Sequence, residues 1–295
     1  MTDILEMLVE TCRTQSDIYL RSQALTLTPD EASRTSRPLG KDSIEWDAAN
    51  GDDDPCWFLA NIVGQYLAEA SYQLTALAHL IESRAVHATL EPLIRATLER
   101  CGRVCWLLDD EVDSTTRAAR THLELFVCSN HYVKALKALK AHPDERSRLR
   151  EWKKDHEARV RDRFQLVPDE SSNATCKWIL NDEKYPGYSS VVKYALDSHP
   201  QASAIYASLS GFSHPNTLFG LERVHRTHRT TNVFIVHLDE IEKDMRFAIG
   251  SHLNATKAWA QYYLGAADEA AVTVALDKAA DELDAASVLL PEAAE

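Results

Sequence analysis

The sequence predicts an all-α protein, an irregular multi-helix bundle of about eight to ten helices, from the periodicity of its apolar residues. The chain has nine glycines in 295 residues, well below the usual ~7%. Because hairpins and tight strand connections use glycine for positive φ, this scarcity disfavours a large β component. Alanine, leucine, glutamate and arginine, all good helix formers, are abundant in the sequence.

The length is sufficient for one helical domain over residues 1–295, with its core helices in 53–140 and 188–265. Within the first range, a proline after an acidic run marks a helix start at Pro55. A further helix over 86–110 follows, and Asp113 or Ser114 is expected to cap the next one, which runs to about Leu139.

Three segments are expected to lie outside this core. Residues 143–165 carry eight basic and six acidic side chains, so we interpret them as a peripheral, solvated helix rather than a nucleic-acid arm. Residues 166–187 have turn signals without a clear period, which predicts a loop or lid. Residues 266–295 contain eight acids and one lysine, which indicates an acidic C-terminal helix lying on the bundle or a partner-binding tail.

The composition also bears on location. The start, MTDILEML, has acids where a signal peptide has positive charge, and no apolar run approaches the length of a membrane span. The six cysteines form no CxxC pair. We therefore expect a reduced, cytoplasmic protein that makes no membrane contact, with homo-oligomerisation as a further expectation. The net charge of −13 argues against a general nucleic-acid coat protein, but not against a local basic site.

An acidic run, WLLDDEVD, follows the helix predicted over 86–110. If that helix continues, Asp109 and Asp113 are one turn apart and their carboxylates reach the same ions. The run resembles the first aspartate-rich motif of class I terpene synthases. The resemblance implies that Asp109, Asp110 and Asp113 hold Mg²⁺ over a prenyl diphosphate. That family's second metal motif has no counterpart after Asn216.

The densest group of arginines and histidines is ERVHRTHR. On a helix it forms two adjacent stripes, one of Arg223, Arg226 and Arg229, the other of Glu222, His225 and His228. A guanidinium group can donate two parallel hydrogen bonds to two oxygens of one phosphate. We therefore predict a phosphate-binding site at Arg223, Arg226, Arg229 and His225, with an arginine-rich surface helix as the alternative.

The pattern R-x(4–6)-H is typical of HEPN ribonucleases, all-α proteins of toxin and phage-defence systems that use arginine and histidine to cleave RNA. It occurs here at Arg117–His122, Arg150–His156, Arg223–His228 and Arg246–His252. The third occurrence is favoured because it lies inside the basic group. This distant resemblance makes Arg223 and His228 candidate catalytic residues, and His214 is a third candidate, as an acid–base or ligand.

Two further segments, PLIRATLERCGRVCWLLDD and IYASLSGFSHPNT, resemble an uncharacterised bacterial all-α family with an R-x(3)-E helix and a Y-x-x-LS-x(3)-H element. The positions that match are Arg95, Glu99, Tyr206, Leu209, Ser210 and His214. The resemblance implies a fold and no particular activity. Arg95 and Glu99 are one helical turn apart, which predicts a structural polar pair that meets a polar loop across a helix interface, or else a site that includes His214.

Three functions remain open from the sequence. The first is a cytoplasmic, HEPN-like or defence-associated bundle that binds or cleaves RNA, or binds a phosphorylated small molecule, through the Arg/His group. The second is a Mg²⁺-dependent, terpene synthase-like enzyme that acts on a prenyl diphosphate. The third is a non-catalytic interaction protein whose acidic tail binds a partner or a second copy of the chain.

Overall fold

The fold is all-α, as the sequence predicts. The computed structural model describes residues 4–26, 55–84, 90–140, 142–171, 175–196, 200, 202–213 and 238–285. Within these ranges the chain forms nine helices and one small sheet. In chain order they are α1 (Ile4–Thr26), α2 (Pro55–Glu82), α3 (Leu90–Leu107), α4 (Ser114–Ala138), α5 (Pro143–Arg163), β1 (Leu166–Pro168), β2 (Trp178–Leu180), β3 (Glu183–Lys184), α6 (Tyr188–Ala195), α7 (Ala202–Ser213), α8 (Leu238–Tyr263) and α9 (Ala266–Ala285).

The chain divides into two compact units. Unit 1 comprises residues 1–38, 63–106 and 188–295, and unit 2 comprises 39–62 and 107–187. Within the described ranges, no helix combines the length and the apolarity that crossing a membrane requires.

In unit 1 the long helix α8 packs against α1, α6 and α9, and α9 also packs against α1. Helix α9 buries Val272, Leu276, Ala279 and Leu283, whose spacing of three or four residues places them on one face. Arg246 of α8 pairs with the buried Glu242 and donates to the carbonyl of Leu283 near the end of α9. The described part of the acidic tail is therefore an amphipathic helix docked on the bundle.

A close approach between α3 and α6 explains the glycine in the middle of α3. A Cβ atom built on Gly102 would overlap the carbonyl oxygen of Val191 and lie 2.8 Å from its carbonyl carbon. Both of those atoms are backbone, so the contact is relieved only if α6 moves. A Cβ atom built on Gly250, in the middle of α8, would have no such neighbour within 4 Å.

Unit 2 is built on α4, which packs against α5, β2 and β3. The three strands form an antiparallel sheet in the order β1-β2-β3, with Leu166 opposite Leu180 and Leu180 opposite Glu183. Asn181 and Asp182 join β2 to β3 with φ of 47° and 70°, the left-handed conformation of a two-residue hairpin turn. Residues 166–187, predicted to be a loop or lid, thus contain a sheet.

Two histidines and several aromatic rings hold α5 against α4. His156 of α5 lies 5.0 Å from His122 of α4, stacks on Trp152 at 5.0 Å and meets the edge of Phe126 at 5.2 Å. Both histidines are almost completely buried. Burial, followed by the neighbouring His156, lowers the pKa of His122 to about 3. Burial, followed by Arg159, lowers the pKa of His156 to about 4. Both imidazoles are therefore neutral at pH 7.

Gly102→Ala should destabilise the protein by roughly 1–3 kcal/mol. The new methyl group overlaps the backbone of Val191, and no change of side-chain rotamer can relieve that overlap. Gly250→Ala is the matched control, and it should stabilise the protein by about 0.5–1 kcal/mol because alanine is the better helix former. Urea unfolding of the two variants measures both effects. Equal stability of the two variants would contradict the close approach of α3 and α6.

Acid should destabilise unit 2 through the buried histidines. Their folded pKa values lie below the unfolded value of about 6.5, so the unfolded state binds more protons. The stabilisation is complete above pH 6.5 and is lost as the pH falls towards 4 and 3. From pH 7.5 to 5.0, each histidine should cost about 2 kcal/mol of unfolding free energy.

Urea unfolding of His156→Phe at pH 7.5 and pH 5.0 tests this, because phenylalanine keeps the ring contacts and removes the proton site. The variant should lose about 2 kcal/mol less than the wild type on acidification. His131→Phe, at an exposed position of α4, is the control for the substitution itself. A pH dependence of His156→Phe identical to the wild type would refute the assignment.

Candidate functional site

The charged side chains of α5 are segregated around the helix. Five cations share one face, within an arc of about 100° at 100° per residue. They are Arg146, Arg150, Lys153, Lys154 and Arg161, and we call them the α5 cationic stripe. Five of the six acids lie about 100–140° from Arg150, away from the stripe. Those five are Asp144, Glu145, Glu151, Asp155 and Asp162.

The cationic stripe borders a groove between α4 and α5. The groove has a volume of about 410 Å³ and is lined by Val133 of α4 and by Arg150, Lys153, Lys154, Glu157, Ala158 and Arg161 of α5. An adjoining crevice, too narrow to admit a water molecule, shares Val133 and Arg150 and is also lined by Leu136, Lys137, Arg146 and Leu149. We call the two together the α4–α5 groove. Its charged lining contains six cations and one acid.

The one acid of the groove is already engaged. Glu157 accepts from Arg161 at 3.1 Å and forms an ion pair with Lys177 at 3.6 Å. Arg161 and Lys177 also lie over the ring of Trp178, at 4.8 and 4.2 Å from its centre. These contacts join α5 to β2 and leave little negative charge to neutralise the rest of the groove.

The other cations of the groove have few partners among the described residues. Arg150 and Lys154 are exposed and form no ion pair within that part of the chain. Lys153 is half-buried and donates to Asn130 Oδ1 of α4. Burial, followed by the nearby Lys177, lowers the pKa of Lys153. Unneutralised cations held close together repel one another, and a bound anion would remove that repulsion.

Residue counts alone did not reveal this site. Summed over residues 143–165, the charges are mixed and predict a solvated face, whereas their positions around the helix separate the cations from most of the acids. The signal was present in the sequence, since Arg146, Arg150, Lys153, Lys154 and Arg161 recur at intervals of one, three, four and seven. No periodic pattern in the sequence indicates that residues of α4 form the other wall of the groove.

The predicted polar pair forms and has a third member. Arg95 Nε donates to Glu99 at 2.8 Å, and a second Arg95 nitrogen donates to the Tyr206 hydroxyl of α7 at 3.0 Å. The Tyr206 hydroxyl in turn donates to Glu99 at 2.8 Å. Burial, followed by the bond to Glu99, raises the pKa of Tyr206 to about 12. The described partner of Arg95 and Glu99 is thus a tyrosine on α7, and the three tie α3 to α7.

The aspartates of WLLDDEVD do not lie on one helix. Helix α3 ends at Leu107, and a turn over 108–113 separates Asp109 from Asp113. Asp109 accepts from the backbone N–H of Glu111 and from Arg120, and Asp113 caps α4 by accepting from the N–H of Thr116 at 2.7 Å. The prediction that Asp109, Asp110 and Asp113 hold Mg²⁺ therefore rested on a wrong geometry.

Two other observations bear on a metal site. Among the described residues, no group of three or more histidine, cysteine, aspartate or glutamate side chains is arranged so that it could hold a metal ion. The hydrogen bond from Thr116 lowers the pKa of Asp113, as expected for a carboxylate cap. These carboxylates stabilise the start of α4 and the turn before it.

Three of the four R-x(4–6)-H matches place their histidine in a core. His122 and His156 belong to the cluster in unit 2. His252 is fully buried in unit 1, 2.9 Å from the hydroxyl of Ser71, and burial lowers its pKa to about 3. These imidazoles stabilise the helix packing and are shielded from a solvent-borne substrate.

The remaining predicted site residues lie outside the described residues. They are His214 and the Arg/His group of Arg223, His225, Arg226, His228 and Arg229. The candidate catalytic set of Arg223, His228 and His214 and the phosphate-binding set of Arg223, Arg226, Arg229 and His225 thus stay predictions.

A buried charge network on α4 was not expected from the sequence. Arg120 donates to Asp109 and Glu183, both at 3.0 Å, although its own side chain is only 7% exposed. One turn further along, the fully buried Glu124 accepts from the Tyr185 hydroxyl at 2.8 Å. The network fixes both the turn before α4 and the hairpin strand β3 to α4.

Comparison with protein-family models, curated proteins and solved structures gives no match to this chain. The site therefore has to be interpreted from its own geometry. Its most developed feature in the described residues is the α4–α5 groove.

Asp113→Ala should destabilise the protein by about 0.5–2 kcal/mol, because α4 loses its N-cap, and the loss should be the same with and without Mg²⁺. Thermal unfolding of the variant and of the wild type, with and without millimolar Mg²⁺, measures it. Asp110→Ala is the control, since Asp110 is exposed. If Mg²⁺ stabilises the wild type and both variants lose that stabilisation, the result would support a metal site at these aspartates and contradict the prediction.

Proposed function

We propose that this protein binds RNA, and that the α5 cationic stripe contacts the phosphate backbone. The single observation that carries the proposal is the α4–α5 groove, where six cations and one already paired acid lie together. The whole chain has a net charge of −13. A local concentration of cations in so acidic a protein indicates a selected anion-binding surface rather than a general charge excess.

The length of the stripe favours a chain of phosphates over a small ligand. From Arg146 to Arg161 it runs about 22 Å along the helix, at 1.5 Å per residue. One phosphate group would engage only one end of it. A polynucleotide backbone, with a charge at every nucleotide, would engage its whole length.

The proposed function is binding of RNA and not its cleavage. The Arg/His group at 223–229 is a second predicted phosphate contact. The histidines of the three R-x(4–6)-H matches within the described residues are buried and neutral. They are therefore unsuited to transfer protons to or from an RNA ribose, which supports binding over cleavage at those positions.

The test uses a labelled single-stranded RNA of mixed sequence, with fluorescence anisotropy at several KCl concentrations. The variant Arg150→Gln/Lys154→Gln removes two exposed cations of the groove. Its affinity should fall, and its logarithmic salt dependence should weaken by roughly 1.4, since each lost contact to a single strand removes about 0.7. The control variant Arg148→Gln/Lys193→Gln removes the same charge from exposed positions outside the groove and should bind like the wild type.

A third variant, Arg223→Ala/Arg226→Ala/Arg229→Ala, separates the two predicted contact regions. If it binds RNA normally while the groove variant is weak, the groove is the principal site. Equal weakening of the groove variant and its control would mean that net charge alone drives binding, and the proposal would be rejected. Absence of salt-sensitive binding in the wild type would reject it outright.

A further inference from the structure

One amine in the α4–α5 groove differs from the other cations around it. Lys153 is half-buried, and its Nζ donates to Asn130 Oδ1 across the interface between α5 and α4. Its neighbour in sequence, Lys154, lines the same groove but is exposed. The amine of Lys153 is therefore held at a defined position on the groove wall.

The surroundings of Lys153 act against its protonated form. Burial is the largest effect, and Lys177 and Lys137 add repulsion. Glu157 and Cys176 act in the opposite direction and do not compensate, so the pKa of Lys153 is lowered. A larger fraction of this amine is then neutral, and a neutral amine is the nucleophilic form.

The same groove would concentrate anionic reagents beside that amine. Arg150 and Lys154 are exposed, lie within one helical turn of Lys153 and form no ion pair among the described residues. They are placed to bind a phosphate group while a reactive carbon joined to it approaches Nζ. Guanidinium and ammonium groups both bind phosphate oxygens in this way.

We propose that Lys153 is an acylation site whose acyl donors are small acyl phosphates bound in the α4–α5 groove. The neutral Nζ attacks the acyl carbon, and the bond between that carbon and the phosphate oxygen breaks. Phosphate leaves with the electron pair, and the proton released by the nitrogen passes to solvent. The product is an amide, and nothing is oxidised or reduced.

Acylation removes one positive charge from the groove and thus provides a way to regulate its ligand. This regulatory consequence rests on the proposed function, whereas the acylation itself does not. Loss of the Lys153 charge should weaken RNA binding and lower its logarithmic salt dependence by about 0.7.

The test incubates the full-length protein with acetyl phosphate at pH 7.5 and low salt, and follows each lysine by peptide mass spectrometry. Lys153 should be acetylated on the order of tenfold faster than Lys154 or the exposed Lys193 of α6, an advantage that salt should reduce. Lys153 reacting no faster than these two lysines would overturn the proposal.

A second measurement separates binding of the reagent from intrinsic reactivity of the amine. In Arg150→Gln/Lys154→Gln, the rate at Lys153 with acetyl phosphate should fall severalfold, while the rate with the uncharged reagent N-acetoxysuccinimide should be retained. Equal loss with both reagents would show that the substitutions disturb the amine itself, and would overturn the role of the groove.

The RNA experiment distinguishes the two proposals. Selective acetylation of Lys153 with unchanged RNA affinity would support the acylation site and reject its regulatory role. Weaker RNA binding by Lys153→Gln without selective acetylation of the wild type would support the proposed function and reject the acylation site.

Discussion

The buried charges of α4 are the constraint on which the structure of unit 2 depends. Arg117, Arg120 and Glu124 all lie on the interior side of that helix. An uncompensated buried charge costs several kcal/mol, so each requires a partner from another segment. Arg117 donates to the backbone carbonyls of Asp109 and Val112. Arg120 donates to the carboxylates of Asp109 and Glu183. Glu124 accepts a hydrogen bond from the Tyr185 hydroxyl. The turn at 108–113 and the hairpin must therefore fold against α4.

The same helix positions the candidate site. The rings of His122 and Phe126 on α4 receive His156 of α5, which fixes the rotation of α5 about its axis. Lys153 stands about 60° from His156 and Lys154 about 160°, at 100° per residue. Burying the imidazole therefore places Lys153 at the edge of the interface and turns Lys154 towards solvent. The apolar and aromatic packing thus determines which charges line the α4–α5 groove and which remain on the far side of α5.

This arrangement separates two kinds of chemistry that the sequence placed side by side. Within Arg150–His156, the arginine is exposed on the groove and the histidine is buried among aromatic rings. An arginine and a histidine close in sequence can thus serve binding and packing respectively. The separation follows from helical geometry, since residues six apart point about 120° away from each other.

The sequence by itself determined the fold class, most helix positions and the start of α4 at Asp113 or Ser114, because apolar periodicity and capping are local properties. It also predicted that Arg95 and Glu99 form a polar pair. It placed Asp109 and Asp113 on one helix wrongly, since the end of α3 depends on the bonds that Arg117 and Arg120 make to that turn. The docking of the hairpin at Asn181–Asp182 on α4 and the α4–α5 groove were likewise decided by the tertiary structure. Both need contacts between different elements, and no local pattern specifies which elements meet.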